Sequence, residues 1–326
     1  MTIINQNVNL WRIILPYNTF AKPVLFISRC IEFAPCRWNG GLTTNEIVRA
    51  LNNYVDFLAI CPEIEIGLSV PRDPLQVILS RKKKSLVQIN NKRDFTVSIK
   101  SFATNVFDKQ KDLDGFLLRS KSPSCGAYSV KLFKAIDSTD PVAIGSGVFA
   151  EIVQKLFPLH PIIEESDLNN EDLRDYFLTR VFTLAAFRVT AKQQSRDSLQ
   201  EFHTRNHVLL NCFNPRLVSL LDALFKQNFN HDVTFLASEY YSLLLRILHQ
   251  RPTREISARN LFRVLHAYTR SNASPDWRDV RESLERYQKG CVSLRMLRST
   301  LKTWAIRIRM ENILEQTFCE PYPVFL

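Results

Sequence analysis

Residues 28–41, SRCIEFAPCRWNGG, follow the apolar run 23–27 (PVLFI) and set Cys30 and Cys36 six positions apart. An apolar run that stops abruptly at Cys, Pro and Gly reads as a buried strand delivering a loop to a site. Two later stretches have the same form. Residues 55–60 (VDFLAI) end in Cys61-Pro62-Glu63, and residues 115–119 (GFLLR) lead into Ser122-Pro123-Ser124-Cys125-Gly126. In open α/β sheets, ligands gather in the crevice at the carboxyl ends of the strands. The pattern predicts an α/β N-terminal domain with a mostly parallel, Rossmann-like sheet on which three thiol-bearing strand ends meet.

The intervening segments fit such a domain. Thr43 with Glu46 forms a capping box that opens a helix through Tyr54, a parallel crossover between the first two strands. Residues 64–75, with Gly67, Pro71, Arg72 and Pro74, read as a loop over the site. Residues 77–89 read as strand interrupted by Arg81-Lys82-Lys83-Lys84, either a solvated turn or a phosphate contact. Asp94 begins a helix that carries Phe95, Ile99, Phe102 and Phe107 toward the core. Gly145-Ser146-Gly147 is helix punctuation before residues 148–156 rather than a nucleotide loop, and residues 158–163 make a last strand.

Beyond residue 165 the periodicity becomes helical throughout, with helices expected at 198–228, 232–250, 255–270, 275–289 and 292–317. The expected division is an extension at 1–21, the α/β domain at 22–165 and an all-α domain at 166–326.

At 326 residues, two domains are the natural expectation. The chain is 45% hydrophobic, an ordinary globular value. No apolar run approaches the roughly 20 residues that span a bilayer, and the first basic residue is Arg12, so a membrane is not expected and a cytoplasmic location is. Seven cysteines make an odd set, which favours metal binding or catalysis over a disulfide framework. Cys212, Cys291 and Cys319 lie in unremarkable surroundings.

The net charge of +11 favours an anionic partner, nucleic acid above all. From residue 246 onward there are thirteen Arg and two Lys against eight acidic residues. Arginine's planar fork suits phosphate and stacks on bases. On the last long helix Arg295, Arg298, Lys302 and Arg309 share a face expected to bind RNA, while Leu294, Leu297, Leu301, Trp304 and Ile308 face the core. His203 and His207 are four apart, but no acidic residue stands between them in a zinc-protease pattern, and packing is the preferred reading.

Cys30, Cys36 and Cys125 are either buried small hydrophobes or, taken together at strand ends, soft-metal ligands. Three such ligands leave a tetrahedral or cubane site with one open position, as a catalytic site requires. Glu63 is the candidate general base, with partial burial expected to raise its pKa toward neutrality, and Glu65 would share its side of an extended segment. Ser122 and Ser124 flank Pro123 and either act on substrate or cap a turn.

These three segments, Cys30 and Cys36 with RWNGG, Cys61-Pro62-Glu63, and RSKSPSCG ending in Cys125, resemble the signature of the thiouracil desulfidase family over about residues 22–165. The resemblance implies a 4Fe-4S cluster held by Cys30, Cys36 and Cys125 with one iron open to a thiocarbonyl sulfur, an acid/base role for Glu63 and an assisting role for Ser122. Arg37, Asn39, Cys61 and Ser124 are expected to contact substrate. The chain departs from the family's Cys-Leu-Leu-Gly and Arg-Tyr-Asp-Gly at Cys30-Ile31-Glu32-Phe33 and Arg37-Trp38-Asn39-Gly40, so Asn39 lacks the acid's charge and Glu32 either acts on the cluster's electrostatics or faces solvent.

The helical half, from FHTRNHVLLNCFNP at residue 202 onward, resembles the YbgA-like domain, and fused proteins of this layout resemble tRNA 4-thiouridine desulfidases. The expected function is removal of sulfur from thiolated uracil, 4-thiouridine in tRNA first, giving uridine and hydrosulfide. The partner is then tRNA or a thiolated nucleotide, with no membrane and no protein partner inferred. Two other readings are a desulfidase of free thiouracil or thionucleotides, and a non-catalytic iron-sulfur sensor or RNA-binding protein.

Overall fold

The computed structural model describes residues 20–110, 112–136, 138–227, 232–269 and 277–326. The apolar patch of the N-terminal extension, within residues 1–19, lies outside the described residues, as do position 228 and positions 270, 275 and 276 at the ends of expected helices.

Four parallel strands form the sheet that carries the site, β1 (Val24–Ser28), β2 (Asp56–Ile60), β5 (Gly115–Leu118) and β8 (Ile162–Glu164), in the spatial order β2-β1-β5-β8. Phe26 lies level with Leu58 on one side and Phe116 on the other, so β1, β2 and β5 end side by side. Both faces of this sheet are covered, which is why β1 and β5 read as unbroken apolar runs. Phe26 points to one face, where its ring stacks on Phe149 at 5.2 Å and meets Phe107 edge-on at 5.8 Å. Leu25 and Ile27 point to the other face and pack with Phe177, Leu178, Val181 and Phe182.

The crossover helix α1 (Glu46–Leu51) is capped by Asn45, not by Thr43: Asn45 Oδ1 accepts from the N–H groups of Ile47 and Val48, both at 3.1 Å. Thr43 is spent on a bridge to Ile31, and its buried hydroxyl has no partner. Residues 62–65 form a helical turn, α2 (Pro62–Glu65), with proline in its first turn where no N–H is needed. That turn separates the two acids. Glu63 is buried and Glu65 is exposed, so they do not share a side.

A second four-stranded sheet, not read from the sequence, comprises β3 (Leu75–Ser80), β4 (Lys83–Gln88), β6 (Val130–Phe133) and β7 (Ala143–Gly145), in the order β4-β3-β6-β7. β3 and β4 make the expected hairpin. Arg81 and Lys82 are its two turn residues, with φ of 45° and 67°, the left-handed pair that a tight hairpin demands. Helices α3 (Thr96–Lys109) and α4 (Val148–Leu156) complete this half, Ile99, Phe107 and Phe149 entering the same core as Phe26.

After a short 3-10 turn at Glu165–Asn169 the rest is helical: α5 (Glu171–Lys192), α6 (Arg196–Phe213), α7 (Pro215–Gln227), α8 (Val233–His249), α9 (Arg254–Tyr268), α10 (Arg278–Gln288), α11 (Leu294–Arg307) and the turn α12 (Glu311–Leu314). The single helix expected over 198–228 is split, because Pro215 cannot donate to the preceding turn. α5 covers the sheet face opposite Phe26, and Tyr322 and Leu326 near the C-terminus join that same cluster. No helix among the described residues is long and apolar enough to cross a membrane.

Candidate active site

The loops after β1, β2 and β5 enclose a cavity of about 350 Å³ lined by Cys30, Cys36, Cys61 and Cys125, with Glu63 and Ser122. The first loop is held by its own backbone. Ile31 N–H donates to Ser28 O at 2.8 Å, Thr43 N–H to Cys30 O at 2.8 Å, and Ala34 N–H to Arg29 O at 2.9 Å. Glu32, with φ of 66°, turns its carboxylate onto the N–H of Asn45 and onto Arg49 Nε. Burial opposes that charge, but Arg49 and the Asn45 N–H outweigh it and hold the Glu32 carboxyl below its ordinary value. Glu32 thus ties the cysteine loop to α1.

The third loop is clamped by α4. The N–H groups of Phe149 and Ala150 donate to Ser124 O at 3.0 and 3.1 Å, and that of Val148 to Pro123 O at 3.1 Å. A Cβ at Gly147 would come within 2.5 Å of Ser124 O, so the glycine permits the close approach. Glu164, fully buried, completes the clamp by accepting from the N–H groups of Ala127, Tyr128 and Ser129. Next to it Glu165 accepts from Ser120 and pairs with Arg119.

All four thiols are free and buried. The Cys36 thiol lies between those of Cys30 and Cys61. Its hydrogen bond with Cys30 raises its pKa, Cys61 opposes this and burial adds to it. Cys61 is pushed up by its bond to Cys36 and then by burial, and Cys125 is pushed up by burial above all. A metal would therefore displace protons from them. Burial, with the nearby charge of Arg37 adding, pushes the Arg119 guanidinium down.

Glu63 sits in an ion pair rather than in an apolar pocket. Arg72 Nε donates to Glu63 Oε2 at 2.8 Å, and Ser124 Oγ donates to Glu63 Oε1 at 2.8 Å. Arg72 also donates to Cys36 O at 3.0 Å and to Ser69 O at 3.1 Å, joining the loop over the site to the cysteine loop. The two serines have separate places. Ser124 is fully buried on Glu63, while Ser122 lines the cavity, and its Oγ accepts from Cys125 N–H at 3.1 Å.

This chain's first half matches a known family over residues 25–165, the one described as "2-thiouracil desulfurase". Residues 25–165 are a 2-thiouracil desulfurase domain. Residues 208–323 match a second family, described as "Protein of unknown function (DUF1722)". The desulfurase domain is similar to "Uncharacterized protein YbbK" of Bacillus subtilis (strain 168), at 27% identity over 154 residues, 45% of this chain and 99% of the relative. A solved structure described as "[4Fe-4S]-dependent thiouracil desulfidase TudS" is similar at 22% identity and a TM-score of 0.38, over 47% of this chain and 97% of that one.

Of the residues singled out in the desulfurase domain, Cys30, Cys36, Cys61, Cys125, Glu63, Ser122 and Arg37 line one cavity. Asn39 does not. It is exposed, and its Oδ1 accepts from Gly41 N–H at 3.1 Å, closing the loop on itself. Sequence reading missed the roles of Arg119 and Glu165, which pair across 46 positions, the pairing of Arg72 with Glu63, and the clamp made by Glu164.

In the helical half the expected basic face is divided. Arg298 is 5% exposed and pairs with Asp175 of α5, because α11 is buried on the side that helical counting assigned to solvent. Arg295 donates to Val324 O, Lys302 pairs with Glu320 at 3.0 Å, and Arg309 follows the end of α11 on the surface. His203 is buried between Asp222, at 2.9 Å from Nε2, and Tyr240, at 3.2 Å from Nδ1. Among the described residues no three Cys, His, Asp or Glu side chains gather as a site for a metal ion.

Proposed function

We propose that the chain is an iron-sulfur-dependent desulfidase that replaces the sulfur of a thiolated uracil by oxygen, with 4-thiouridine in tRNA as the preferred substrate. The observation that carries this is the meeting of four thiols, from the loops after three parallel strands, with a paired carboxylate around one cavity.

The donor set suits the cluster. Thiolates are the ligands of iron-sulfur centres, and these thiols border a cavity of about 350 Å³, room for a body larger than one ion. Cys30, Cys36 and Cys125 would hold it. When bound, a cluster with three protein ligands supplies an open iron, a soft Lewis acid for a thiocarbonyl sulfur.

The chain's own groups account for the rest. The net change is addition of water and loss of hydrosulfide: a C–O bond forms, the C–S bond breaks, and nothing is oxidised or reduced. Glu63 takes a proton from the attacking water, and Arg72 and Ser124 fix the direction in which its carboxylate faces. The Ser122 oxygen accepts from Cys125 N–H, and its O–H, beside the Cys125 thiol, would donate to the ring or the departing sulfur. Exposed arginines on α9 and α10, such as Arg263, Arg281 and Arg286, would hold the RNA backbone.

The test uses protein reconstituted with iron and sulfide under anaerobic conditions, mixed separately with 4-thiouridine-containing tRNA and with free thiouracil, while the thiocarbonyl absorbance is followed. Fast loss with tRNA and slow loss with free base is expected, and Glu63→Gln should abolish the loss while the cluster's absorbance persists. Turnover confined to free base would remove the tRNA claim. An intact cluster with no loss on any thiolated substrate would remove the enzyme.

A further inference from the structure

A second cavity, of about 100 Å³, opens between α5, α6, α9, α10 and α11 and shares no lining residue with the thiol cavity. Leu209, Phe213, Leu294 and Phe318 supply its apolar wall. Its charged lining is only partly neutralised. Arg254 pairs with Asp172 at 2.7 Å, and Arg298 pairs with Asp175, so those four charges cancel. Arg251 is left over. It also lines the cavity, its guanidinium lies 5.6 Å from the centre of the Tyr176 ring, and among the described residues no carboxylate stands within ion-pairing distance of it.

Two hydroxyls in the same lining are unspent as well. Ser257 of α9 and Tyr287 of α10 are each 7% exposed, yet among the described residues neither hydroxyl has a hydrogen-bond partner. Burial pushes the Tyr287 hydroxyl up, so it stays protonated and able to donate at neutral pH. Buried hydroxyls without partners are destabilising, and a ligand that accepts from both removes that cost. Arg251, Arg254 and Ser257 also stand at the amino end of α9, where the helix dipole adds to the positive charge.

One surplus cation and two hydroxyl donors call for a single anionic acceptor, and the apolar wall calls for a hydrocarbon body. Size limits that body. A cavity of about 150 Å³ holds a benzene ring, so about 100 Å³ leaves room for roughly three to five carbons. We propose that this cavity binds a short-chain monocarboxylate, its carboxylate accepting from Arg251, Ser257 and Tyr287 and its chain resting against Leu209, Phe213 and Phe318. Inorganic phosphate would bring no apolar surface, and a dicarboxylate would bury a second charge without a counter-charge. Tyr176 and Thr179 of the lining belong to α5, whose Phe177, Leu178 and Val181 pack on the desulfurase sheet, so the acid would sit at the junction of the two halves of the chain.

Calorimetry on the full chain, reconstituted with its cluster, would compare butyrate with butyramide, succinate, octanoate and inorganic phosphate. Butyrate should bind at least about tenfold more tightly than the amide, the gain of charge-assisted hydrogen bonds, and more tightly than the other three. Arg251 is exposed and outside any helix, so Arg251→Gln leaves the fold intact; it should weaken butyrate by about tenfold and leave butyramide unchanged. The double variant Ser257→Ala/Tyr287→Phe should weaken butyrate by a similar factor without lowering the melting temperature of the ligand-free chain, because no hydrogen bond within the protein is lost. Equal affinity for butyrate and butyramide would overturn the proposal, and so would succinate or phosphate binding as well as butyrate. Butyrate binding that ignores both variants would put the acid in another cavity and overturn it too, as would the absence of butyrate binding at millimolar concentration.

Discussion

Arg72 donates from Nε to Glu63 at 2.8 Å, and the two side chains are only 3% and 10% exposed. The same guanidinium holds Cys36 O, so a single side chain sets both the proposed base and one of the thiol loops. Sequence pattern alone places Glu63 at a strand end, and burial there would serve a base by desolvation. The pair instead gives the carboxylate a fixed direction, with one oxygen toward Arg72 and the other toward Ser124.

Removing Arg72 leaves that buried carboxylate without its counter-charge. Arg72→Ala should lower unfolding stability by about 3 to 5 kcal/mol, the usual result of breaking one side of a buried pair. The double variant Glu63→Gln/Arg72→Met removes both charges and should recover most of the loss, while remaining inactive. Urea unfolding of the two variants checks this. A double variant less stable than Arg72→Ala would mean that the pair itself, and not the orphaned charge, decides stability.

Glu32 stands where the family pattern has an apolar residue, and it has a structural task. Its carboxylate satisfies the N–H of Asn45, whereas its partner Arg49 is 56% exposed and contributes little. Glu32→Leu should therefore cost about 1 to 2 kcal/mol, the penalty for an unpaired, half-buried donor. Glu32→Gly loses the same bond but relieves a side chain from φ of 66°, so the two effects should nearly cancel. Because the folded carboxyl is held below its ordinary value, Glu32's contribution is present above the unfolded carboxyl's pKa and lost as pH falls through the folded one. Thermal melts of wild type, Glu32→Leu and Glu32→Gly at neutral and acid pH read all three statements.

How far the sequence could be read follows from how local each signal is. β1, β2 and β5 were legible because each is an apolar run cut off by Cys, Pro or Gly, and their parallel pairing brings the three loops together as expected. The second sheet was not, since β6 and β7 are only four and three residues long and gain their identity by pairing with β3 and with each other. Ser122 and Ser124 look alike in sequence. Only the backbone path, pinned by α4 and Glu164, decides that Ser124 meets Glu63. Helical counting put Arg298 on the basic face because it sees one helix at a time, and Asp175 lies 123 residues earlier.

His160 joins the two halves of the chain through a 3.1 Å hydrogen bond between its Nε2 and Tyr241 of α8. Burial, with repulsion from Arg180 adding, pushes it down to about 4. An unfolded His titrates near about 6.5. Between those values the unfolded chain binds a proton that the folded chain refuses, so stability is fully present above about pH 6.5 and lost as pH falls toward about 4, by about 2 kcal/mol at about pH 5. His160→Phe should remove this component. Urea midpoints at about pH 7 and pH 5 would show it as a smaller acid loss in the variant than in wild type, and identical losses would place the acid sensitivity elsewhere.

Arg298 and Arg309 lie eleven positions apart and should behave as opposites. Arg298 is buried on Asp175, with its guanidinium also 3.3 Å from the Thr179 hydroxyl. Arg298→Ala should cost about 3 to 5 kcal/mol of stability and, in the protein that remains folded, leave the salt dependence of RNA binding as it was. Arg309 is exposed beyond the end of α11, so Arg309→Ala should leave stability within about 0.5 kcal/mol. If the helical half holds RNA on this side, the same change should lower the slope of log affinity against log salt by about one phosphate contact. Anisotropy titrations of a labelled tRNA at several salt concentrations separate the cases. An unchanged slope for Arg309→Ala, together with a reduced one for Arg281→Ala on α10, would confine the phosphate contacts to α9 and α10, and unchanged slopes for both would take the phosphate contacts away from this face altogether.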